Sequence, residues 1–272
     1  VLSLVSIPTY DNNIYAENRE DEIEALAHDS RHPFQNHAIA AAVAPGSTFK
    51  LVTSAAALQT GLITPATHRN IPSAVLEIKG ENGLIYPLVD WKAHGDINLV
   101  SAIAWSSNIY MFMASCGILG ETKGLGKNPE ESAVILGHYA RAFGLGQPTG
   151  IDIGGESDYG VIPSPAWKKK TFSGPNFNPG EGDWFYGDTC NMGIGQGDVT
   201  ATPLQIARMT AAVANGGKLL TPHVVRSITS PDGSVVKGKE LSGASNILFR
   251  RNSQTGAIVG FASDAATPGQ SV

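Results

Sequence analysis

Two serine–lysine pairs in the sequence have the S-x-x-K spacing that can support nucleophilic chemistry, Ser47/Lys50 and Ser234/Lys237. About one such pair is expected by chance at average serine and lysine usage, so the spacing alone decides little. The first pair follows a Pro-Gly turn and opens the apolar run 49–58, which predicts a helix with Ser47 as its N-cap. Residues three apart at a helix start lie on one face, whereas in the hairpin predicted around Ser234 they point to opposite faces. We therefore take Ser47 and Lys50 as the candidate pair.

Ser47 and Lys50 have the chemical types needed for a nucleophile and its base. A serine hydroxyl attacks only after a base removes its proton, and lysine is a base only when it is neutral. Bringing the lysine pKa from about 10.4 to neutrality takes a shift of about 3 units, or about 4 kcal/mol, which burial and the positive end of the helix dipole would supply. The Ser47 backbone N–H would be one oxyanion donor. The alternative is a capping serine beside a surface lysine.

Ser106 and Asn108 form the single S-x-N sequence of the chain. They lie between two apolar helical runs, the first predicted to be capped by Asp96 and to extend through Ile103, the second covering 109–116. A serine and an amide two residues apart on such a connector can both face a cleft. Ser106 would then pass a proton from Lys50 to a leaving amine, and Asn108 would offer its amide to a peptide-like substrate. The alternative is a helix break with local side-chain caps.

The elements around these residues predict a sheet covered by helices. Residues 1–8 have the pattern of a strand, and helices are predicted over 128–143 and 202–215, the second with a capping box. Strand-like residues over 219–236 contain a Pro-Asp-Gly hairpin turn. Residues 145–198 are rich in Gly, Pro and Asn and show little periodicity, which indicates long loops around a site.

The composition excludes several classes of protein. Of 272 residues, 31 are Gly and 16 are Pro, and charged residues make up 16 %, below the ~25 % of ordinary soluble domains. With a formal charge of −5, the chain has no nucleic-acid arm, polybasic membrane patch or coiled coil. It contains no run of the ~18 apolar residues that cross a bilayer. Cys116 and Cys190 are either two core thiols or one bridge.

The order of these motifs resembles a known family. Residues 45–50 (PGSTFK) followed by 106–108 (SSN) resemble the active site of penicillin-binding transpeptidases, which combine S-x-x-K and S-x-N with a third motif, K-T-G. Three further segments, 3–13, 193–197 and 212–217, are also similar to that domain. The resemblance extends over nearly the whole chain and favours the class B, elongation-type enzymes. It implies an α/β (α+β) fold like that of serine β-lactamases, an antiparallel sheet covered by helices plus an all-helical subdomain.

The resemblance also implies a mechanism and partners. Ser47 would attack the carbonyl between the two terminal D-alanines of a peptidoglycan stem peptide, with Lys50 as base, Ser106 as proton shuttle and Asn108 positioning the donor amide. An amine of a neighbouring stem would then form the cross-link, and β-lactams would acylate Ser47. No cofactor, bound metal or nucleic acid is expected. The full-length protein is expected to work with the membrane-bound wall-elongation machinery, anchored by one upstream membrane helix with its catalytic domain outside the cytoplasmic membrane.

The third motif is the main departure from the family pattern. Gln254-Thr255-Gly256 shares two letters with K-T-G, with Thr255 and Gly256 as weak candidates, but residues 241–272 resemble the polar segment and helix that precede the motif. We therefore expect K-T-G beyond Val272 and interpret residues 1–272 as a partial transpeptidase domain truncated at both ends. Because losing one oxyanion donor costs about 10²–10³ in rate, we expect this chain alone to have little or no activity.

A metal site is a minor alternative in the segment DWKAHG. Asp90 and His94 could ligate zinc, as some elongation-type relatives do in this region, with His68 as the other plausible donor. Structural zinc sites almost always have four ligands, so the expectation is no metal.

Three other functions remain open on the same residues. A β-lactam-sensing receptor domain would acylate the same serine and pass on a signal, and a serine β-lactamase would admit water to the acyl-enzyme. A scaffold that has lost catalysis would keep only the fold. The long 145–198 region and the elongation-type segments favour the transpeptidase.

Overall fold

The computed structural model describes residues 1–79, 85–156, 159–225, 227–229, 235–238, 244–251 and 258–262. The helices within these ranges are α1 (Asn13–Ala16), α2 (Glu20–Ala27), α3 (His37–Ala40), α4 (Lys50–Gln59), α5 (Leu99–Ala104), α6 (Asn108–Ser115), α7 (Pro129–Ala142), α8 (Pro165–Thr171), α9 (Tyr186–Gly193) and α10 (Pro203–Ala214). A 3₁₀ turn, Gly46–Phe49, directly precedes α4. Among the described helices, none combines the length and the apolar character that a bilayer crossing requires.

The strands pair in small antiparallel sheets. They are β1 (Arg69–Ile71), β2 (Val75–Lys79), β3 (Ile85–Val89), β4 (Gly95–Ile97), β5 (Lys218–Leu220), β6 (Ser227–Thr229), β7 (Val235–Gly238), β8 (Ala244–Arg251) and β9 (Ile258–Ala262). Strand β1 pairs with β4, β2 with β3 and β6 with β7, while β5, β8 and β9 form one sheet in that order. Helix α10 packs against β5.

The core lies in the helical part of the molecule. Helices α4, α6, α7 and α9 pack against one another. Each contributes or adjoins a large side chain that is at most 1 % exposed: Phe49 before α4, Tyr110 on α6, Leu136 on α7 and Met192 on α9. Most of α4 is buried because its residues are small or apolar on every face, which is typical of a central helix. The helix that follows the candidate nucleophile is therefore held on several sides.

Local capping signals explain where the helices begin. Asn128 caps α7 with Pro at the first position, and Thr202 forms a capping box with Gln205 at α10, so both of these helix predictions are confirmed. The prediction that Asp96 caps the next helix is wrong. Residue 96 lies in β4, and Asn98 caps α5 instead by accepting the Ser101 backbone N–H.

The predicted α/β fold is confirmed, with two corrections. Residues 1–8 form no strand; their contacts include the His37 backbone N–H, which donates to the Ser6 hydroxyl, and the His223 carbonyl, which accepts from the Val1 amino group. Residues 145–198 are not loops throughout, since they contain α8 and α9. Strands β6 and β7 form the predicted hairpin pair, although the turn residues between them lie outside the described ranges.

Residues 241–272 differ from the expected polar segment and helix where they are described. They contribute β8 and β9, and β8 pairs with both β5 and β9. The candidates Thr255 and Gly256 lie outside the described residues.

The two cysteines form a disulfide, Cys116–Cys190, which is the second of the two alternatives left by the sequence. It joins the C-terminal end of α6 to α9, across a sequence separation of 74 residues. The bridge thus ties the helix that follows the S-x-N sequence to the helix that leads into Gly195.

Candidate active site

Ser47 lies at the surface in the tight turn before α4. The residue is exposed, while Phe49, two positions later, is fully buried and anchors the turn in the core. Gly46 adopts a φ of +55°, and the Thr48 hydroxyl donates to the Pro45 carbonyl at 2.8 Å. The predicted N-cap role of Ser47 is wrong, because the left-handed glycine starts the turn one residue earlier and places Ser47 inside the 3₁₀ turn.

Gly195 supports this turn from behind. The Gly46 backbone N–H donates to the Gly195 carbonyl at 2.8 Å. Gly195 has a φ of +71°, and a Cβ there would collide with the Gly46 carbonyl and the Phe49 side chain. Only glycine combines this backbone conformation with so close an approach. The loop after α9 therefore sets the position of the turn that contains Ser47.

The S-x-N sequence occupies the break between α5 and α6, as predicted. Ser106 has a φ of +53°, rare for a residue with a side chain. Ser107 caps α6 by accepting the Tyr110 backbone N–H, and Asn108 is the first residue of that helix. The left-handed backbone of Ser106 reverses the chain direction, and the Ser106 side chain is thereby directed toward Ser47.

Lys50 connects the two motifs. Its side chain is buried, with 3 % of the residue exposed. The ammonium Nζ donates to the Ser106 carbonyl at 2.7 Å, to Ser106 Oγ at 3.0 Å and to Asn108 Oδ1 at 2.6 Å. Ser106 Oγ in turn donates to Ser47 Oγ at 3.0 Å. The structure thus brings all four predicted residues together, and the described path from Lys50 to Ser47 runs through the Ser106 hydroxyl rather than directly.

Burial changes the acidity of Lys50. It lowers the pKa of the ammonium to about 8, and the nearby Asp90 charge opposes the shift. The predicted direction is therefore found, but the shift is smaller than the one that would bring the group to neutrality. At pH 7 about one molecule in ten holds the neutral amine that can accept a proton.

The sequence predicts Asp90 only as a possible metal ligand, and the structure places it beside the S-x-N turn. Its Oδ1 accepts the Trp91 backbone N–H at 2.9 Å. Its Oδ2 accepts the Ser107 hydroxyl at 2.7 Å and the Ile109 backbone N–H at 3.0 Å. Nothing in the sequence pattern distinguishes this aspartate from an ordinary residue after a strand.

The residues proposed as zinc donors lie in two separate pairs. His94 Nε2 lies 3.4 Å from Asp90 Oδ2, and the His94 ring stacks on Trp105. His68 instead pairs with Asp96 at 2.9 Å. Within the described ranges no three His, Cys, Asp or Glu side chains are grouped so as to hold a metal ion. Within the described ranges Asp90 and His94 therefore offer two neighbouring donors, fewer than the four ligands that a structural zinc site almost always has.

The match to a family model agrees with this geometry. Residues 1–263 match the penicillin binding protein transpeptidase domain. The chain belongs to this family. The transpeptidase domain contains the S-x-x-K and S-x-N residues in the arrangement described above, while the K-T-G sequence expected beyond Val272 stays a prediction.

Named relatives of the domain include cell-wall enzymes. The peptidoglycan D,D-transpeptidase MrdA of Haemophilus influenzae is 32 % identical over 249 residues, which cover 88 % of this chain and 33 % of the relative. The chain thus spans about a third of the length of this relative.

Solved structures similar to the domain include two of penicillin-binding proteins. A complex of penicillin-binding protein PBP2 and MreC from Helicobacter pylori matches with a TM-score of 0.61 and 31 % identity, covering 75 % of this chain and 33 % of that one. The ceftriaxone acyl-enzyme complex of penicillin-binding protein A from Mycobacterium tuberculosis matches with a TM-score of 0.63 and 27 % identity. The match covers 87 % of this chain and 47 % of that one.

Proposed function

We propose that this protein is a serine D,D-transpeptidase that cross-links peptidoglycan stem peptides through an acyl-enzyme on Ser47. The observation that carries the proposal is the hydrogen-bonded path from buried Lys50 through Ser106 to exposed Ser47. A nucleophile at the surface, a lysine of lowered pKa beneath it and a hydroxyl between them form the arrangement that activates a serine. Relatives named as D,D-transpeptidases supply the substrate class.

The acceptors around Lys50 fix the direction in which its proton moves. The Ser106 carbonyl and Asn108 Oδ1 can only accept hydrogen bonds, and Asn108 Nδ2 donates to the Val89 carbonyl at 3.1 Å, which fixes the amide orientation. A neutral amine has two N–H donors and one lone pair. When both donors stay on these two oxygens, the lone pair faces Ser106 Oγ.

Each protonation state of Lys50 then serves one half of the reaction. With Lys50 neutral, Ser106 donates to the amine and accepts the Ser47 proton, so Ser47 Oγ attacks the carbonyl between the terminal D-alanines. With Lys50 charged, Ser106 donates outward and returns the proton to the leaving D-alanine nitrogen. An amine of a neighbouring stem then attacks the Ser47 ester, loses its proton along the same path, and restores the Ser47 hydroxyl. Asn108 would position the donor amide.

β-Lactams would acylate Ser47 in the same way and stay bound. Support comes from the ceftriaxone acyl-enzyme formed by a structural relative. A β-lactamase would release the adduct within seconds, whereas a transpeptidase or a β-lactam sensor would keep it for hours. Release of D-alanine with formation of cross-linked peptide separates the transpeptidase from the sensor and from a scaffold without activity.

We also propose a location and partners for the domain. We place the domain outside the cytoplasmic membrane, anchored by an upstream membrane helix. The Cys116–Cys190 disulfide supports an oxidising compartment, because such bridges are rare in the cytosol. A PBP2 solved with MreC supports a role within wall-elongation machinery.

The test uses the purified full-length protein and a stem peptide that ends in D-Ala-D-Ala. We expect D-alanine release and a cross-linked peptide dimer, both lost in Ser47→Ala. The matched control is Ser234→Ala, which removes the serine of the other S-x-x-K pair and is expected to leave both products unchanged. Equal product from Ser47→Ala and the unmodified protein would refute the proposal.

A further inference from the structure

Asp90 is a buried carboxylate at the end of β3 that the reaction described above does not use directly. The residue is 4 % exposed, and its side chain is fully enclosed. Burial raises the pKa of Asp90, but hydrogen bonds from Ile109, Ser107 and Trp91 outweigh this effect and hold the pKa below its usual value. A charge is therefore kept inside the protein next to the S-x-N turn, and it is kept there by donors from that turn.

The end of β3 holds the S-x-N turn at two points. Asp90 Oδ2 accepts the Ser107 hydroxyl at 2.7 Å and the Ile109 backbone N–H at 3.0 Å. The carbonyl of the preceding residue, Val89, accepts Asn108 Nδ2 at 3.1 Å. Ser106 keeps its left-handed backbone between these contacts. A non-glycine residue in this conformation persists only where its surroundings over-determine it, and these hydrogen bonds do so.

The position of the turn decides what Lys50 can do. All three acceptors of Lys50 belong to the S-x-N turn: the Ser106 carbonyl, the Ser106 hydroxyl and Asn108 Oδ1. A shift of the turn would move all three acceptors. The lone pair of the neutral amine would then no longer be directed at Ser106 Oγ.

We propose that Asp90 is a positioning residue for acylation, holding the S-x-N turn so that neutral Lys50 faces the Ser106 hydroxyl. This inference rests on the proposed function of Ser47 and Lys50. Asp90 touches neither substrate nor nucleophile and acts through Ser107 and the start of α6.

Asp90 also acts on Lys50 through its charge. Among the described residues, it is the charged group that raises the pKa of Lys50 against burial. The His94 side chain also faces the carboxylate, with Nε2 at 3.4 Å from Oδ2. Removing the Asp90 charge disfavours the ammonium form of Lys50. The acylation rate constant falls toward low pH as Lys50 is protonated, and this acidic limb of the pH profile should therefore move to lower pH.

The experiment compares Asp90→Asn and Asp90→Ala with Asp96→Ala in the full-length protein. Asp96 is an exposed carboxylate of β4 that pairs with His68 and makes no described contact with the turn. The readout is the second-order rate constant for acylation by a fluorescent penicillin, measured across pH. We expect Asp90→Ala to lose about 100-fold, as for a misplaced reacting group. Asp90→Asn should recover part of that loss and shift the acidic limb to lower pH, and Asp96→Ala should match the unmodified protein.

A second variant keeps the inference testable if Asp90→Ala does not fold. Ser107→Ala removes one hydrogen bond between the carboxylate and the turn while leaving the Asp90 charge in place. We expect slower acylation with an unmoved acidic limb. If Asp90→Asn and Ser107→Ala both acylate at the unmodified rate with the unmodified pH limb, the inference is overturned.

Hydrogen exchange separates failure of this inference from failure of the proposed function. If the unmodified protein takes no penicillin, the proposed function fails. Even then, the hydrogen-exchange rate of the Ile109 amide, measured by mass spectrometry on peptide 105–112, shows whether Asp90 stabilises the turn. Faster exchange in Asp90→Asn than in Asp96→Ala supports that hold, and equal exchange contradicts it.

Discussion

The pH dependence of acylation follows from the state of Lys50. Its Nζ lies within hydrogen-bond distance of three oxygens, which match the three N–H donors of the charged lysine. The relay through Ser106 to Ser47 works only after one of those protons has left. The fraction of neutral Lys50, and with it the acylation rate, should therefore rise with pH until the pKa is passed.

The size of the effect follows from the pKa of about 8. Neutral lysine makes up about 1 % of the molecules at pH 6, about a tenth at pH 7 and half at pH 8. The rate constant should rise about tenfold from pH 6 to pH 7, about fivefold more to pH 8, and become nearly constant above pH 9.

The assay is acylation of the full-length protein by a fluorescent penicillin at constant ionic strength between about pH 6 and pH 9. Hydrolysis of the free penicillin is measured in parallel, and circular dichroism checks that the protein stays folded. Equal rate constants at pH 6 and pH 8 would refute the reasoning. Such a result would mean either that Lys50 is neutral throughout this range or that another group removes the Ser47 proton.

Three further predictions concern stability and the support of the turn that contains Ser47. Lys50→Met should raise the free energy of unfolding at pH 7 by up to about 3 kcal/mol, because a lysine with a depressed pKa destabilises the fold below pH 8. The gain should fade toward pH 10.5 in chemical denaturation, and no gain at pH 7 would contradict it. Gly195→Ala should slow acylation by about 100-fold, because a Cβ at this position collides with the turn that contains Ser47. The control is Gly197→Ala, which shares the positive φ but has room for a Cβ, and it should slow acylation far less. Equal losses in the two variants would contradict this prediction. Replacing Cys116 and Cys190 together by alanine should lower the free energy of unfolding by about 4 kcal/mol, the value expected for a 74-residue separation, and an unchanged denaturation midpoint would contradict this.

Local signals in the sequence predicted several helices and the members of the site. Capping residues gave the starts of α7 and α10 because each cap acts within a few residues of the backbone groups that it satisfies. The spacing of Ser47 and Lys50 predicted that Lys50 reaches the Ser47 hydroxyl directly, and the break at Ser106 predicted that this residue faces the same cleft. The structure brings the three residues together, with the Ser106 hydroxyl between Lys50 and Ser47.

The features that the sequence did not predict depend on contacts between distant segments. Helix α9 contains two glycines, an asparagine and an aspartate, all poor helix formers, and its pattern indicated a loop. It is helical where Cys190 and Met192 are buried against α6 and α7, so tertiary packing overrides local preference. The contacts of Asp90 with the S-x-N turn are not predictable from local pattern for the same reason, because the partners lie 17 and 19 residues away.

The central claim is that Ser47 is the nucleophile, and the most direct test is to locate the bound penicillin. The full-length protein is labelled, digested and sequenced by tandem mass spectrometry. We expect the penicilloyl group on Ser47, in the peptide that contains PGSTFK, and no adduct in Ser47→Ala. An adduct on any other residue, or labelling that persists in Ser47→Ala, would contradict the account.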